Sequence, residues 1–218
     1  MTTTSRTPTQ LGAAGMLVGN QIRRLQHGYL ADCSEAVATL ARLRSGAGKD
    51  PLAVPDLWGL IDLGKLHDGP GLAREEDQVR AQNAVYAALA LWALHQQSRQ
   101  VAMHIGGGLE LGAAVRALMP VGEIDEPVRQ RFVRAGSAPT LTVLAVRLRE
   151  LVTLLRRDEI SLDYALLADQ LHRWQYIAAR NDVRRSWGRS FNAHRSHKSD
   201  TSTEPPTATD GTDSKDTQ

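Results

Sequence analysis

The sequence predicts an all-α protein in the form of a helical bundle, and three observations support this prediction. Apolar residues recur at the helical spacing in nearly every patterned segment, and no stretch alternates with a period of two for long enough to form a strand. Clusters of glycine and proline separate the segments. The pattern is clearest over residues 141–155 and 164–178, where apolar side chains fall at i, i+3, i+4 and i+7.

The first half of the chain is predicted to contain two helices of ordinary length and one long one. Asp32 and Glu35 have the spacing of a capping box and predict the start of a helix that ends at the glycine-rich turn 45–48. Residues 62–71 are rich in Gly, Asp and Pro and predict a loop. Residues 75–97 are predicted to form the longest helix, since three acids in its first turn suit the positive end of the helix dipole.

The second half predicts four more helices and suggests a division into subdomains. A helix after the triple glycine 106–108 is stopped by Pro120, and a shorter helix over 127–135 precedes the two clear ones. We therefore expect two small helical subdomains between two disordered ends. The predicted parts are 1–12 (disordered N-terminus), 13–120 (N-terminal helical subdomain), 121–198 (C-terminal helical subdomain) and 199–218 (disordered acidic tail).

Charge is unevenly distributed along the chain. The formal net charge is +2, but residues 199–218 hold five acids and a single lysine. Residues 1–198 therefore hold 25 basic and 19 acidic residues, a net charge of +6. A basic folded part favours an acidic partner such as nucleic acid, and the polar tail is typical of disorder.

Several classes of protein are disfavoured. Cys33 is the only cysteine, so neither a disulfide framework nor a cysteine-based zinc site is expected. No apolar segment resembling a signal peptide follows the polar N-terminus, and the longest apolar run, residues 84–94, is too short to span a bilayer. These features predict a cytoplasmic protein without a membrane partner, and Cys33 is predicted to be a core thiol.

No catalytic constellation is found, so we expect neither an enzyme nor a cofactor. The segment GGGLELG lacks the third glycine and the preceding strand of a phosphate-binding loop. Each remaining candidate lacks the base, ligand or second motif that its chemistry requires. These candidates are His67 with Asp68, His194 with His197, Ser34, Ser45, His95 and His172.

Arginines beside the apolar stripes are the strongest functional signal. Their guanidinium groups match phosphate geometry, and helices hold them in place. At about 100° per residue, Arg173, Arg180 and Arg184 fall within roughly 40° of one another on the side opposite the apolar stripe. A solvated helix face explains the same pattern. The candidate nucleic-acid-binding residues are Arg42, Arg44, Arg129, Arg131, Arg134, Arg149, Arg180, Arg184 and Arg185.

The order of several segments resembles the CasB family, the small subunit of the Cascade surveillance complex of type I-E CRISPR systems. The resemblance covers roughly residues 20–192. The segments that carry it are LARLRSGAGKDPLAVPDLWGLI, AQNAVYAALALWALHQQ, MHIGGGLELGAAV and ISLDYALLADQLHRWQ followed by VRRSWGRSF.

This resemblance implies an all-helical, two-subdomain, non-catalytic protein that is present as a pair in its complex. It implies contact with the repeated backbone subunits and other Cascade subunits, with CRISPR RNA and with target DNA. Family members support the guide–target heteroduplex and the displaced strand through basic surface residues, which map onto the arginines above. Relatives tend to read Gly-x-Ser-Leu-Gly-Arg where this chain has GLELGA at 108–113, which weakens a nucleic-acid role for that loop.

Two other functions remain open from the sequence. One is a free-standing helical DNA-binding regulator, although no short helix-turn-helix with a polar recognition helix stands out. The other is a helical scaffold that binds only protein. Aromatic stacking platforms are not evident, and Trp187 and Phe191 are expected to pack inside the C-terminal helices rather than to stack on bases.

Overall fold

The computed structural model describes residues 10–50, 54, 57, 59–67, 72 and 74–199. Within these ranges helices and turns make up the protein, apart from one isolated β-bridge between His104 and Leu162. The all-α prediction is therefore confirmed. The helices are α1 (Ala13–Leu30), α2 (Ser34–Ser45), α3 (Gly64–His67), α4 (Glu75–Gln96), α5 (Leu111–Ala117), α6 (Glu126–Gly136), α7 (Leu141–Arg157), α8 (Tyr164–Trp174) and α9 (Ile177–Ser199).

The centre of the bundle is α4. Every side chain from 84 to 96 is buried, and α1, α2, α7 and α8 pack against this helix. A helix that is apolar on all sides belongs in the interior, and its many alanines allow neighbouring helices to approach closely. None of the described helices combines the length and the apolarity needed to cross a bilayer.

Helices from both halves of the chain share one apolar core. α8 packs against α1 and α4, and α5 packs against α9. The division into subdomains near residue 120 stays a prediction. The predicted disordered ends, 1–12 and 199–218, lie almost entirely outside the described residues. Pro55 predicts the start of a short helix, and much of that segment also lies outside them.

Three helices, α6, α7 and α8, begin at side-chain caps that fit their sequences. Asp125 accepts from the amide of Val128, and Thr140 accepts from the amide of Val143. Asp163 Oδ1 accepts from the amides of Ala165 and Leu166. Such caps satisfy amides that the first turn leaves without partners, and each stabilises its helix by about 1 kcal/mol.

The start of α1 is held by a carboxylate from α8. Asp169 accepts from the amides of Gly12 and Gly15, both at 2.7 Å. A side chain at Gly15 would collide with this carboxylate and with the carbonyl of Ala165, so the helices touch only because glycine stands there. Burial raises the pKa of Asp169, while the two amide bonds oppose that rise.

The predicted start of α2 is wrong in two respects. Asp32 has a left-handed φ of 56°, and α2 begins after Cys33 with no side-chain cap, so the capping box with Glu35 does not form. Cys33 is exposed rather than part of the core. The turn that reverses the chain between α1 and α2 occupies the residues that the box would need.

Two expectations about other helices are also wrong. The predicted loop 62–71 contains the short helix α3. The pattern over 164–178 is not one helix, because the chain turns at Gln175 and Tyr176 and Ala178 is exposed. The longest helix is consequently α9, with 23 residues against 22 in α4.

Helices α5 and α9 approach each other closely at Gly112. A Cβ atom at Gly112 would lie inside van der Waals distance of the Trp187 carbonyl oxygen and of the Ser190 hydroxyl. Next to this contact, Glu110 Oε1 accepts from Ser186 Oγ and Gln170 Nε2, both at 2.6 Å. The glutamate that departs from the family pattern therefore joins α5 to α8 and α9.

One polar pair lies deep in the core. His95 at the end of α4 contacts the Tyr164 hydroxyl through Nδ1 at 3.0 Å, and both side chains are fully buried. Burial lowers the pKa of His95 from 6.5 to about 4, and the nearby Arg156 and Arg99 add to this effect. The imidazole is therefore neutral at physiological pH.

We expect Gly112→Ala to lower the free energy of unfolding by about 1–3 kcal/mol, because the added methyl group forces α5 and α9 apart. Gly188→Ala is the matched control. It lies inside α9 with open space around its Cβ position, so alanine should be neutral or stabilising there. Urea denaturation of both variants measures the difference, and equal stability of the two would contradict the account of this contact.

The buried imidazole predicts a loss of stability in acid. The unfolded chain takes up a proton at His95 near pH 6.5, whereas the folded protein resists protonation down to about pH 4. The contribution is thus complete above pH 6.5 and is lost as the pH falls, by up to about 3 kcal/mol. His95→Gln should flatten the dependence of unfolding free energy on pH. An unchanged dependence in this variant would show that other groups carry it.

Candidate nucleic-acid interface

The turn after α2 brings two distant arginine clusters together. α2 ends at Ser45, and the following turn places Gly48, with φ of 79°, against the outer side of α7. A Cβ atom at Gly48 would lie 3.2 Å from Cδ of Arg149. Arg44, whose carbonyl accepts from the Ala47 amide, leads into this turn, so the turn joins the end of α2 to Arg149, about 100 residues later in the sequence.

Four basic residues lie on α2, on the turn after it and on α7, and we call them the α2–α7 patch: Arg42, Arg44, Lys49 and Arg149. All four are exposed, and none forms an ion pair with any residue that the structure describes. The nearby acids are Asp50, which has an interaction of its own, and Glu150, which faces Arg134 at 3.6 Å. Among the described residues, therefore, no carboxylate forms an ion pair with the four basic side chains of the patch.

The other arginine clusters connect to this patch through α6. Arg134 on α6 pairs with Glu150, the residue after Arg149, and the Arg147 guanidinium donates to the Arg134 carbonyl. The end of α6 and the turn after it then contact α9 through Arg184 and Arg180. A series of contacts therefore runs from α2 across α7 and α6 to α9.

Arg180 and Arg184 have structural partners that the sequence does not reveal. Arg180 donates to the carbonyls of Trp174 at 3.2 Å and Pro139 at 3.1 Å, and Arg184 donates to the Gly136 carbonyl at 2.7 Å. Both guanidinium groups lie over the Trp174 ring, 5.5 and 5.2 Å from its centroid. These contacts fix the end of α6.

Trp174 is held in place from its other side. Its ring stacks on Trp187 with centroids 5.3 Å apart and an angle of 16°, and both rings are buried. Phe191 stacks on Phe132 at 5.5 Å in the same way. The prediction that Trp187 and Phe191 serve helix packing is confirmed.

The break before α9 changes the expected arrangement of Arg173, Arg180 and Arg184. The sequence places them on one side of a continuous helix, but Arg173 lies in α8 and the other two lie beyond the turn. Arg173 instead faces Asp182 at 4.0 Å. The prediction that these three arginines share one side of a single helix is therefore wrong.

The nine predicted arginines fall into three groups by their partners. Carboxylates neutralise Arg129 (Glu126), Arg134 (Glu150) and Arg185 (Asp182). Uncharged carbonyls hold Arg180 and Arg184 in place and leave their positive charge uncancelled. The remaining four form no ion pair with a described residue: Arg42, Arg44, Arg149 and the half-buried Arg131.

Lys49 is the residue of this surface that the sequence reasoning missed. It follows a glycine-rich turn, and the signal that points to it is the sequence RLRSGAGK, in which the turn carries a basic residue on either side. The contact of Gly48 with Arg149 is what places the next residue, Lys49, near α7.

The rejected catalytic candidates lie apart from this surface or have structural partners. Within the triple glycine, the Gly107 amide donates to Asp163 Oδ2 at 2.8 Å. His172 contacts the Tyr176 hydroxyl, and Ser45 donates to the Arg42 carbonyl. His67, Asp68 and His197 have side chains outside the described part. Among the described residues, no group of three His, Cys, Asp or Glu side chains could hold a metal ion.

Fold and surface together define a class: an all-α bundle with uncancelled basic charge where α2 meets α7. The comparisons with known proteins specify the family. Residues 39–191 match the family described as CRISPR-associated protein Cse2. The chain belongs to this family, as its resemblance to CasB predicts. A search of curated protein sequences finds no significant match.

Solved structures agree with this assignment. The crystal structure of CasB from Thermobifida fusca is 51% identical and aligns over 84% of this chain and 99% of its own, with a TM-score of 0.76. CasB from M. ruber is 25% identical over 76% and 90% of the two chains, with a TM-score of 0.56. A chain of a CRISPR RNA-guided surveillance complex shares the fold at 19% identity, a TM-score of 0.63 and coverages of 87% and 99%.

We expect Arg180→Ala with Arg184→Ala to lower the free energy of unfolding by about 1–3 kcal/mol, because the change removes three carbonyl hydrogen bonds and two contacts with Trp174. Arg185→Ala is the control. Its guanidinium is exposed and pairs only with Asp182 on its own helix, so its loss should be nearly neutral. Urea denaturation without nucleic acid measures both, and an unaffected double variant would contradict the structural role.

Proposed function

We propose that this protein is the small, non-catalytic subunit of a type I-E Cascade complex. In this role it assembles in the cytoplasm with the repeated backbone subunits and with a second copy of itself. It supports the guide–target heteroduplex and the displaced strand by contacts to phosphates. Membership of the Cse2 family supports the complex, and the α2–α7 patch supports the contact with nucleic acid.

The observation that carries the nucleic-acid role is the uncancelled charge of the α2–α7 patch. A phosphate can replace the water around an exposed guanidinium without first displacing a carboxylate, so Arg42, Arg44 and Arg149 are the strongest candidates. Arg129, Arg134 and Arg185 would each have to give up an ion pair. We therefore propose that they contribute less than their positions in the sequence suggest.

Arg180 and Arg184 fit a second, more rigid contact. A guanidinium has five N–H donors, and the carbonyl bonds use only some of them. Because those bonds and the Trp174 ring fix the orientation of both groups, a phosphate that meets them finds donors already in position. We propose that these two residues serve both the fold and the nucleic acid.

The absence of base reading also fits the role. A subunit that serves any guide sequence has to bind the backbone and leave sequence discrimination to base pairing. Phosphate contacts are independent of sequence and depend strongly on salt. The large aromatic rings around α9 are engaged in packing, which leaves them unsuited to stacking on bases.

We expect Arg44→Ala with Arg149→Ala to weaken binding of a guide–target heteroduplex equally for unrelated sequences. The slope of log affinity against log salt should flatten by about 0.7–0.9 for each lost phosphate contact. Arg74→Ala is the control, because this exposed arginine precedes three acids in α4. Titration at several salt concentrations measures the change, and circular dichroism establishes that the helices are intact.

The outcome separates this function from the alternatives. A folded double variant with unchanged affinity and salt slope would overturn the nucleic-acid role of the patch. If that variant still entered the complex, a scaffold that binds only protein would be favoured. Binding that depends on DNA sequence would favour the free-standing regulator.

A further inference from the structure

A groove between α1 and α2 is lined in part by Arg42, which also belongs to the α2–α7 patch. It has a volume of about 500 Å³ and is open to solvent. Arg24 and His27 from α1 and Arg42 from α2 line it, and all three are exposed. Neither Arg24 nor His27 belongs to the arginine clusters from which the patch was predicted.

The lining combines basic side chains with an apolar inner wall. Leu25 and Ala36 are buried at the groove, and Leu60 closes it from the segment before α3. Arg24 and Arg42 form no ion pair with a described residue. Among the described lining residues Glu35 is the one acid, against the two arginines Arg24 and Arg42.

We propose that this groove takes a nucleotide of an unpaired nucleic-acid strand, with its phosphate at Arg24 and Arg42 and its base against the apolar wall. This inference rests on the proposed function, since it extends the α2–α7 patch along α2 through Arg42. A positively charged groove with a surface for bases is the arrangement that binds single strands without sequence preference.

The concave shape of the groove favours an unpaired strand over a duplex. A volume of about 500 Å³ is in the range of pockets that enclose a small molecule, which suits one nucleotide. In a duplex the faces of the bases are stacked and only their edges and the phosphates are accessible, so a duplex touches the rim and leaves the apolar wall empty. Arg24 and the His27 ring also offer flat groups on which a base can stack.

Cys33 provides a direct readout of this groove. It is the only cysteine in the chain, it is exposed, and it lines the groove. The rate at which a disulfide reagent modifies its thiol therefore reports whether the groove is occupied. Nucleic acid held only by Arg44, Lys49 and Arg149, which do not line the groove, leaves this rate unchanged.

The experiment combines thiol modification with affinity, using the full chain, a short oligothymidine and a duplex of equal length. Saturating oligothymidine should slow the modification of Cys33 severalfold, and the duplex should not. Arg24→Ala should weaken oligothymidine binding by about fivefold at roughly 0.1 M salt, because one single-strand phosphate contact contributes about 0.7 to the salt slope. Glu35→Gln should tighten oligothymidine binding, because it removes a negative charge from the lining of the groove.

The matched control is Arg23→Ala, since Arg23 neighbours Arg24 on α1, is exposed and does not line the groove. If oligothymidine binds but leaves the Cys33 rate unchanged and Arg24→Ala binds like the control, the groove assignment is overturned and the proposed function stands. Equal protection by the duplex would also overturn it. If neither nucleic acid binds, the proposed function fails and this inference fails with it.

Discussion

The fold depends on a helix that has no side facing solvent. Because α4 is buried all round from 84 to 96, its neighbours have to cover every part of it, and this requirement places α1, α2, α7 and α8. Polar groups at its end must then find partners within the protein. Gln96 does so by donating to the carbonyls of Arg99 and Val101 and accepting from the Met103 amide, which fixes the loop after the helix.

Local sequence signals predict those parts of the fold that local interactions determine. The apolar spacing of α7 and the caps at Asp125, Thr140 and Asp163 are all visible in the sequence. The break after α8 is not, because the apolar spacing continues through Gln175 and Tyr176 as if the helix did. Long-range bonds hold the turn instead: Gln175 donates to the Arg80 carbonyl and Tyr176 to Asp77.

The candidate site is predictable in composition but not in arrangement. The sequence identifies which arginines are near helices and away from apolar stripes. It cannot show that Arg184 donates to the Gly136 carbonyl, since the two residues lie 48 positions apart, or that the turn at Gly48 meets α7 at Arg149. The partner of each guanidinium is a tertiary property, and it decides whether the charge is cancelled, fixed or available.

The junction at Gly48 couples the patch to the folded state. The turn at Gly48 and Arg149 are about 100 residues apart in sequence and in contact only while α2 and α7 pack around α4. A strand of nucleic acid that contacts both therefore acts as a non-covalent cross-link, which the unfolded chain cannot form as well. By linkage, such a ligand at a hundred times its Kd adds about 2.7 kcal/mol to stability. Under the proposed function, contact with nucleic acid therefore protects the subunit from unfolding.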